Sequence, residues 1–136
     1  MKLNAYLNFN GDCKEAMTFY HKILGGEIVA MFTHENTPAA GQMPEGWGDK
    51  ILHARLEVDG SVIMASDSPP EYFSKPAGFS VNIGVDDPAE ADRIFAGLSE
   101  NATVHMPIEE TFWALRFGML IDQYGTPWMV NCEKPM

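Results

Sequence analysis

The chain has 136 residues and a formal net charge of −10, from 19 Asp+Glu against 9 Lys+Arg, with 46% hydrophobic and 11% aromatic content. That size fits one compact domain, or two small repeated halves, with enough apolar material for a core. The charge disfavours nucleic acid and anionic membranes as partners. No apolar run approaches the about 20 residues of a membrane span, and the first residues lack a signal-peptide pattern. A cytoplasmic protein is therefore expected.

Residues 3–9 alternate as a strand and end at Asn10-Gly11. Asp12 then stands at a helix N-cap, with Glu15 in the capping-box position. Ala16, Phe19, Tyr20, Ile23 and Leu24 mark one helical face, and Gly25-Gly26 stops it. A strand follows over 27–34. Residues 35–49 are rich in Gly and Pro and read as a long loop of the lid or mobile kind. Residues 50–58 and 61–66 form a hairpin about Asp59-Gly60. Residues 68–78, with Pro69, Pro70 and Pro76, read as a linker. The plan then restarts: a strand over 79–85, and a helix capped by Asp86 or Asp87 with Pro88 at its start. The buried face of that helix is Ala91, Ile94, Phe95 and Leu98. A strand spans 103–106, and a last hairpin, 113–121 and 128–132, turns at Asp122-Gln123-Tyr124-Gly125.

Strand, helix and three strands are thus written twice. A shift of 75 places Glu15-Ala16 on Glu90-Ala91, Phe19 on Ile94 and Tyr20 on Phe95. A shift of 65 places Met64 on Met129. The first half carries the longer loop, which accounts for the two shifts. Neither half can bury its sheet alone, so the halves should combine. The fold class is α+β: two tandem βαβββ modules, 1–67 and 79–136, forming a curved eight-stranded mixed sheet around a cleft within one domain.

Two βαβββ modules, with FYHKILGGE closing the first helix and DQYG before the last strand, resemble the glyoxalase/bleomycin-resistance/dioxygenase (vicinal oxygen chelate) superfamily. YLNFNGDCKEAMTFYHKILGGE, KILHARLEV, VIMASD and FWALRFGMLIDQYGTPWMVN are similar to its PhnB-like group. The resemblance covers nearly the whole chain and implies a homodimer whose clefts are walled by two modules. Some PhnB-like proteins carry the name of ubiquinone-pathway methyltransferases. No Gly-rich loop follows a strand here to cradle a nucleotide-like cofactor, and no cofactor is expected.

Metal enzymes of the superfamily hold a divalent ion with one side chain from each of four strands. The resemblance places these positions at Ala5 (Tyr6 if the strand slips by one), Met64, Ser80 and Met129. Such ions want imidazole or carboxylate ligands, so the resemblance implies that the usual metal centre is missing. The two methionines then either pack a core or floor an apolar cleft.

Alternation in 51–58 puts Leu52, Ala54, Leu56 and Val58 on one face and His53, Arg55 and Glu57 on the other. His53 is either a structural histidine or a ligand-orienting or acid/base group. Trp113, Phe117 and Met119 share a face, as an aromatic wall or an ordinary core contact. Arg116 points the other way and should pair with a carboxylate. Asp67 is read as initiating the turn into Pro69-Pro70. His34 and His105 are expected at the surface, and His21 on a helix's polar side. Cys13 sits in a helix's first turn, where a thiol pKa can fall; a capping role is read and no catalysis assigned.

The expected function is binding of an apolar or aromatic small molecule, without a metal, in a cleft lined by Tyr6, His53, Met64, Trp113, Phe117 and Met129. The alternative is a lyase, isomerase or oxygenase with an atypical site at His53, alone or with Glu57 as a metal ligand. A third reading is a protein–protein module using a sheet edge and the Trp47 loop.

Overall fold

The computed structural model describes residues 1–36 and 45–135. Of the loop expected over 35–49, residues 37–44 lie outside the described residues. The elements follow the doubled plan: β1 (Ala5–Phe9), α1 (Cys13–Leu24), β2 (Glu27–Thr33), β3 (Ile51–Val58), β4 (Ser61–Asp67), then β5 (Val81–Gly84), α2 (Pro88–Leu98), β6 (Thr103–Glu109), β7 (Ala114–Ile121) and β8 (Pro127–Glu133). The chain divides into two compact units, Met1–Ser74 and Lys75–Met136. Among the described residues no helix is long and apolar enough to cross a membrane.

The α+β class and the module plan match expectation, but the strands pair within modules. The sheets are four-stranded, ordered β1-β4-β3-β2 and β5-β8-β7-β6. No ladder among the described residues joins them into the single eight-stranded sheet expected. In both, the first strand runs parallel to the fourth and the remaining pairs are antiparallel.

One face of each sheet packs on its helix. In the first unit Leu7, Phe9, Ala54, Leu56 and Ala65 are buried against Ala16, Met17, Tyr20 and Ile23 of α1, with the Phe9 and Tyr20 rings 6.4 Å apart. In the second, Leu120, Trp128 and Val130 are buried with Ala91, Ile94, Phe95 and Leu98 of α2. Arg116 follows the same alternation onto the helix face. Its Nε lies 3.0 Å from Asp92 Oδ1, the carboxylate partner expected for it.

Four local expectations change. Asp12 is the N-cap of α1, but its backbone (φ −114°, ψ 23°) is not extended and its side chain makes no cap hydrogen bond; an N-cap side chain normally reaches back from an extended backbone. The carboxylate of Asp67 does this work from the end of β4. Its Oδ1 accepts from Gly11 N and Cys13 N at 2.9 Å each, and its Oδ2 accepts from Ile51 N at 2.9 Å. Asp67 is therefore a buried tie between three segments rather than a turn initiator. In α2 the expected cap forms, Asp87 Oδ1 accepting from Ala89 N at 3.0 Å ahead of Pro88.

His34, expected at the surface, is only 3% exposed. It sits in a short 3-10 turn, His34–Asn36, with its ring 6.5 Å from Trp47 and its backbone N–H donated to Lys50 O at 3.0 Å. The returning chain covers it, which no local pattern signals. Strand β6 runs on through Pro107 to Glu109, past the expected end at 106. It is an edge strand with register shifts about Met106, a setting where proline's missing N–H costs little.

Candidate functional site

The face of each sheet turned away from its helix is where the candidate residues gather. In the first unit, Tyr6 pairs with Met64 across the parallel ladder, and Met64 with Arg55 across the antiparallel one. Cross-strand partners share a face, so Tyr6, Met64 and Arg55 stand together, with His53 and Glu57 in line along β3. Tyr6 Oη is 3.4 Å from His53 Nδ1, and the two rings lie 6.0 Å apart at 30°. Which atom donates depends on the imidazole tautomer. Arg55 Nε donates to Glu57 Oε2 at 2.7 Å. Arg55 and Glu57 thus neutralise one another beside the Tyr6–His53 pair.

This register decides between Ala5 and Tyr6. Ala5 shares the parity of the buried Leu7 and Phe9 and so points to the helix side, while Tyr6, 45% exposed, faces out beside Met64. The second unit repeats the arrangement with Asn82 opposite Met129. The counterpart of Tyr6 is therefore Asn82, and Ser80 lies before the start of β5.

In the second unit Met119 pairs with Met129, and Phe117 with Asn131. Trp113 lies just before β7, its ring edge-on to Phe117 at 5.5 Å and to Phe112 at 4.8 Å. Trp113 and Phe117 are thus in ring contact, with Trp113 46% exposed. A cavity of about 720 Å³ opens over the Met119–Met129 floor, bounded by Lys75, Phe79, Ser80 and His105. Of the six residues expected to line a cleft, only Met129 touches this cavity. Its other wall is the 75–79 segment, of which 75–78 read in sequence as linker and Phe79 as the start of a strand. His105 reaches the cavity mouth from the register shift between Val104 and Met106. Asn131, unremarked by any motif, shares this face, and its buried Oδ1 makes no hydrogen bond among the described residues.

A divalent ion would need ligands these positions do not offer. Tyr6, Met64, Asn82 and Met129 supply a phenol, an amide and two thioethers, and hard divalent ions favour carboxylate, imidazole and water. Among the described residues no three His, Cys, Asp or Glu side chains gather as a metal-holding group. His53 and Glu57 are engaged separately, by Tyr6 and Arg55.

Both cysteines are buried and reduced. The helix end does not activate Cys13. Burial first, then the carboxylates of Asp67, Asp12 and Glu15, push its thiol well above the ordinary range. A thiol reagent such as 5,5′-dithiobis(2-nitrobenzoate) should label neither Cys13 nor Cys132 in the folded protein and both once it is denatured. Rapid labelling of the folded chain would contradict the burial. Because the folded Cys13 holds its proton more tightly than the unfolded one, its contribution to stability is full below about pH 8.5 and declines as pH rises past it.

A family model described as 3-demethylubiquinone-9 3-methyltransferase matches residues 1–131. The chain belongs to this family, the PhnB-like group. Protein PA1353 from Pseudomonas aeruginosa is 45% identical, with a TM-score of 0.91 over 99% of both chains. A putative 3-demethylubiquinone-9 3-methyltransferase, PhnB protein, from Bacillus cereus is 27% identical, with a TM-score of 0.80 over 97% of this chain and 99% of that one. A glyoxylase/bleomycin resistance protein/dioxygenase domain from Frankia sp. EAN1pec shares the fold at 14% identity, with a TM-score of 0.68 over 98% of each chain.

The family's name implies a nucleotide-type methyl donor, and the strand-to-helix turns of this PhnB-like chain do not fit one. After β1, the amides of Gly11 and Cys13 are already taken by Asp67. After β5, the amide of Ala89 is taken by Asp87. Free helix N-terminal amides are what cradle a cofactor's anionic groups; here carboxylates occupy those of Cys13 and Ala89.

Proposed function

We propose that this PhnB-like protein binds an apolar or aromatic small molecule on the open faces of its sheets, without a divalent ion. The reading uses Tyr6, His53 and Met64 in the first unit and Trp113, Phe117 and Met129 in the second. The observation that carries it is the paired register: Tyr6 opposite Met64 and Asn82 opposite Met129. Where metal-dependent relatives need imidazole and carboxylate, these four positions present a phenol, an amide and two thioethers. The cavity over Met129 has the size of common small-molecule sites, about 300–1,000 Å³.

Equilibrium dialysis with 2-naphthylmethanol tests this. Wild type should retain the probe, and Met129→Ala or Trp113→Ala should weaken binding by about tenfold, from lost apolar contact. Loss confined to Met129→Ala assigns the ligand to the cavity, and loss confined to Trp113→Ala assigns it to the aromatic wall. Unchanged affinity in both variants defeats the proposal. So does a stoichiometric metal ion that survives purification and is lost in His53→Ala.

A second reading has one observation in its favour. The Tyr6–His53 contact places a phenol and an imidazole together on an open face, a pairing able to move a proton. It supports a metal-free lyase or isomerase with His53 as acid/base. That reading requires a substrate whose turnover His53→Ala abolishes while binding persists.

A further inference from the structure

Resting on the reading that the second unit binds an apolar molecule over Met129, we infer that this molecule carries an anionic group, as an aromatic carboxylate does. The lining of the cavity divides sharply by chemistry. Its floor and walls are Phe79, Met119 and Met129 with neighbouring Pro and aliphatic side chains, and its polar groups are Lys75, Ser80 and His105. Among the described residues no Asp or Glu lines it, in a chain with 19 Asp+Glu against 9 Lys+Arg. The ionisable groups around the opening are thus an ammonium and an imidazole, and Ser80 adds a hydroxyl donor. An apolar body against Met119 and Met129 would leave an anionic end at the mouth, within reach of Lys75 and His105. An ammonium ligand would meet the Lys75 charge with no carboxylate among the described lining residues to offset it. A wholly neutral one would leave the Lys75 charge unused.

Lys75 and Phe79 come from the extended segment preceding β5, and both are exposed. They can therefore be altered without disturbing the core, and charge at the mouth can be separated from contact on the floor. The discriminating pair of probes is 2-naphthoate and 2-naphthylmethanol, which share an apolar body and differ in charge. In equilibrium dialysis at low salt, wild type should bind naphthoate about fivefold more tightly than the alcohol, the scale of one partly exposed ion pair. Added salt should shrink that ratio. Lys75→Glu should abolish or invert the preference, changing naphthoate affinity more than that of naphthylmethanol, and His105→Gln should reduce it. If the alcohol binds in a Met129-dependent way but naphthoate binds no tighter, or Lys75→Glu leaves the ratio unaltered, the anionic ligand is ruled out and apolar binding stands. If neither probe binds, both readings fall together.

Discussion

Replacing Asp67 by alanine should destabilise the first unit by about 3–5 kcal/mol, measured as a fall in the urea midpoint at unchanged slope. The carboxylate is 5% exposed and accepts three backbone N–H groups at 2.9 Å, from Gly11, Cys13 and Ile51. It joins the β1–α1 turn, the first turn of α1 and the start of β3 to the end of β4. Alanine would leave those donors without their acceptor in a space closed to water, and each buried orphan costs about 1–3 kcal/mol. Asparagine keeps one acceptor oxygen but turns an NH₂ group toward an N–H, so Asp67→Asn should recover only part of the loss. Asp12→Ala is the informative comparison, because its side chain makes no cap hydrogen bond to the helix. A loss below about 1 kcal/mol for Asp67→Ala would remove the long-range cap as an explanation of how the unit closes.

Gly26→Ala should be markedly more damaging than Gly25→Ala, although the residues are adjacent and both end α1. Gly25 has φ 79° and ψ −148°, and a Cβ there would meet nothing within 4 Å. Its replacement costs only the conformational penalty of a backbone region reserved for glycine, about 1–3 kcal/mol. Gly26 also has positive φ, 78°, and a Cβ there would lie 2.1 Å from the carbonyl oxygen of Glu57 and 2.8 Å from Val58 Cγ2. The oxygen belongs to the backbone of β3 and cannot move without disturbing its pairing with β2. Adding overpacking of about 1–3 kcal/mol to the conformational cost, Gly26→Ala should lose about 2 kcal/mol more than Gly25→Ala in the same urea series. Equal losses would show that β3 yields easily at Glu57.

The Gly25-Gly26 pair shows what local pattern can and cannot convey. A helix stop is legible from two glycines after a helical face, but the reason the second is required lies across the sheet on a strand some thirty positions later. The same division runs through the site. Alternation along β3 and β7 correctly separates His53, Arg55 and Glu57 from the helix-facing residues, and Phe117 and Met119 from Arg116, because a strand's side chains strictly alternate. On β1 alternation alone left Ala5 and Tyr6 both open, since a slip of one residue exchanges the faces; only the ladder to Met64 chooses Tyr6. On β5 the same ladder replaces Ser80 by Asn82.

Composition and periodicity determined the α+β class, the doubled βαβββ order, an aspartate cap at 86 or 87 and the apolar character of the two methionine positions. All of these depend on residues near one another in sequence, or on a repeat visible as a fixed shift. Tertiary structure decided the rest. It gave Asp67 its amide partners 56, 54 and 16 residues away, buried His34 beneath the returning chain, and divided the strands into two four-stranded ladders. It also turned a Pro/Gly-rich linker into the wall of a cavity, bringing Lys75 and Phe79 over Met129. Hydrogen bonds and close packing act through space, so a residue's partners emerge only when distant segments are brought together.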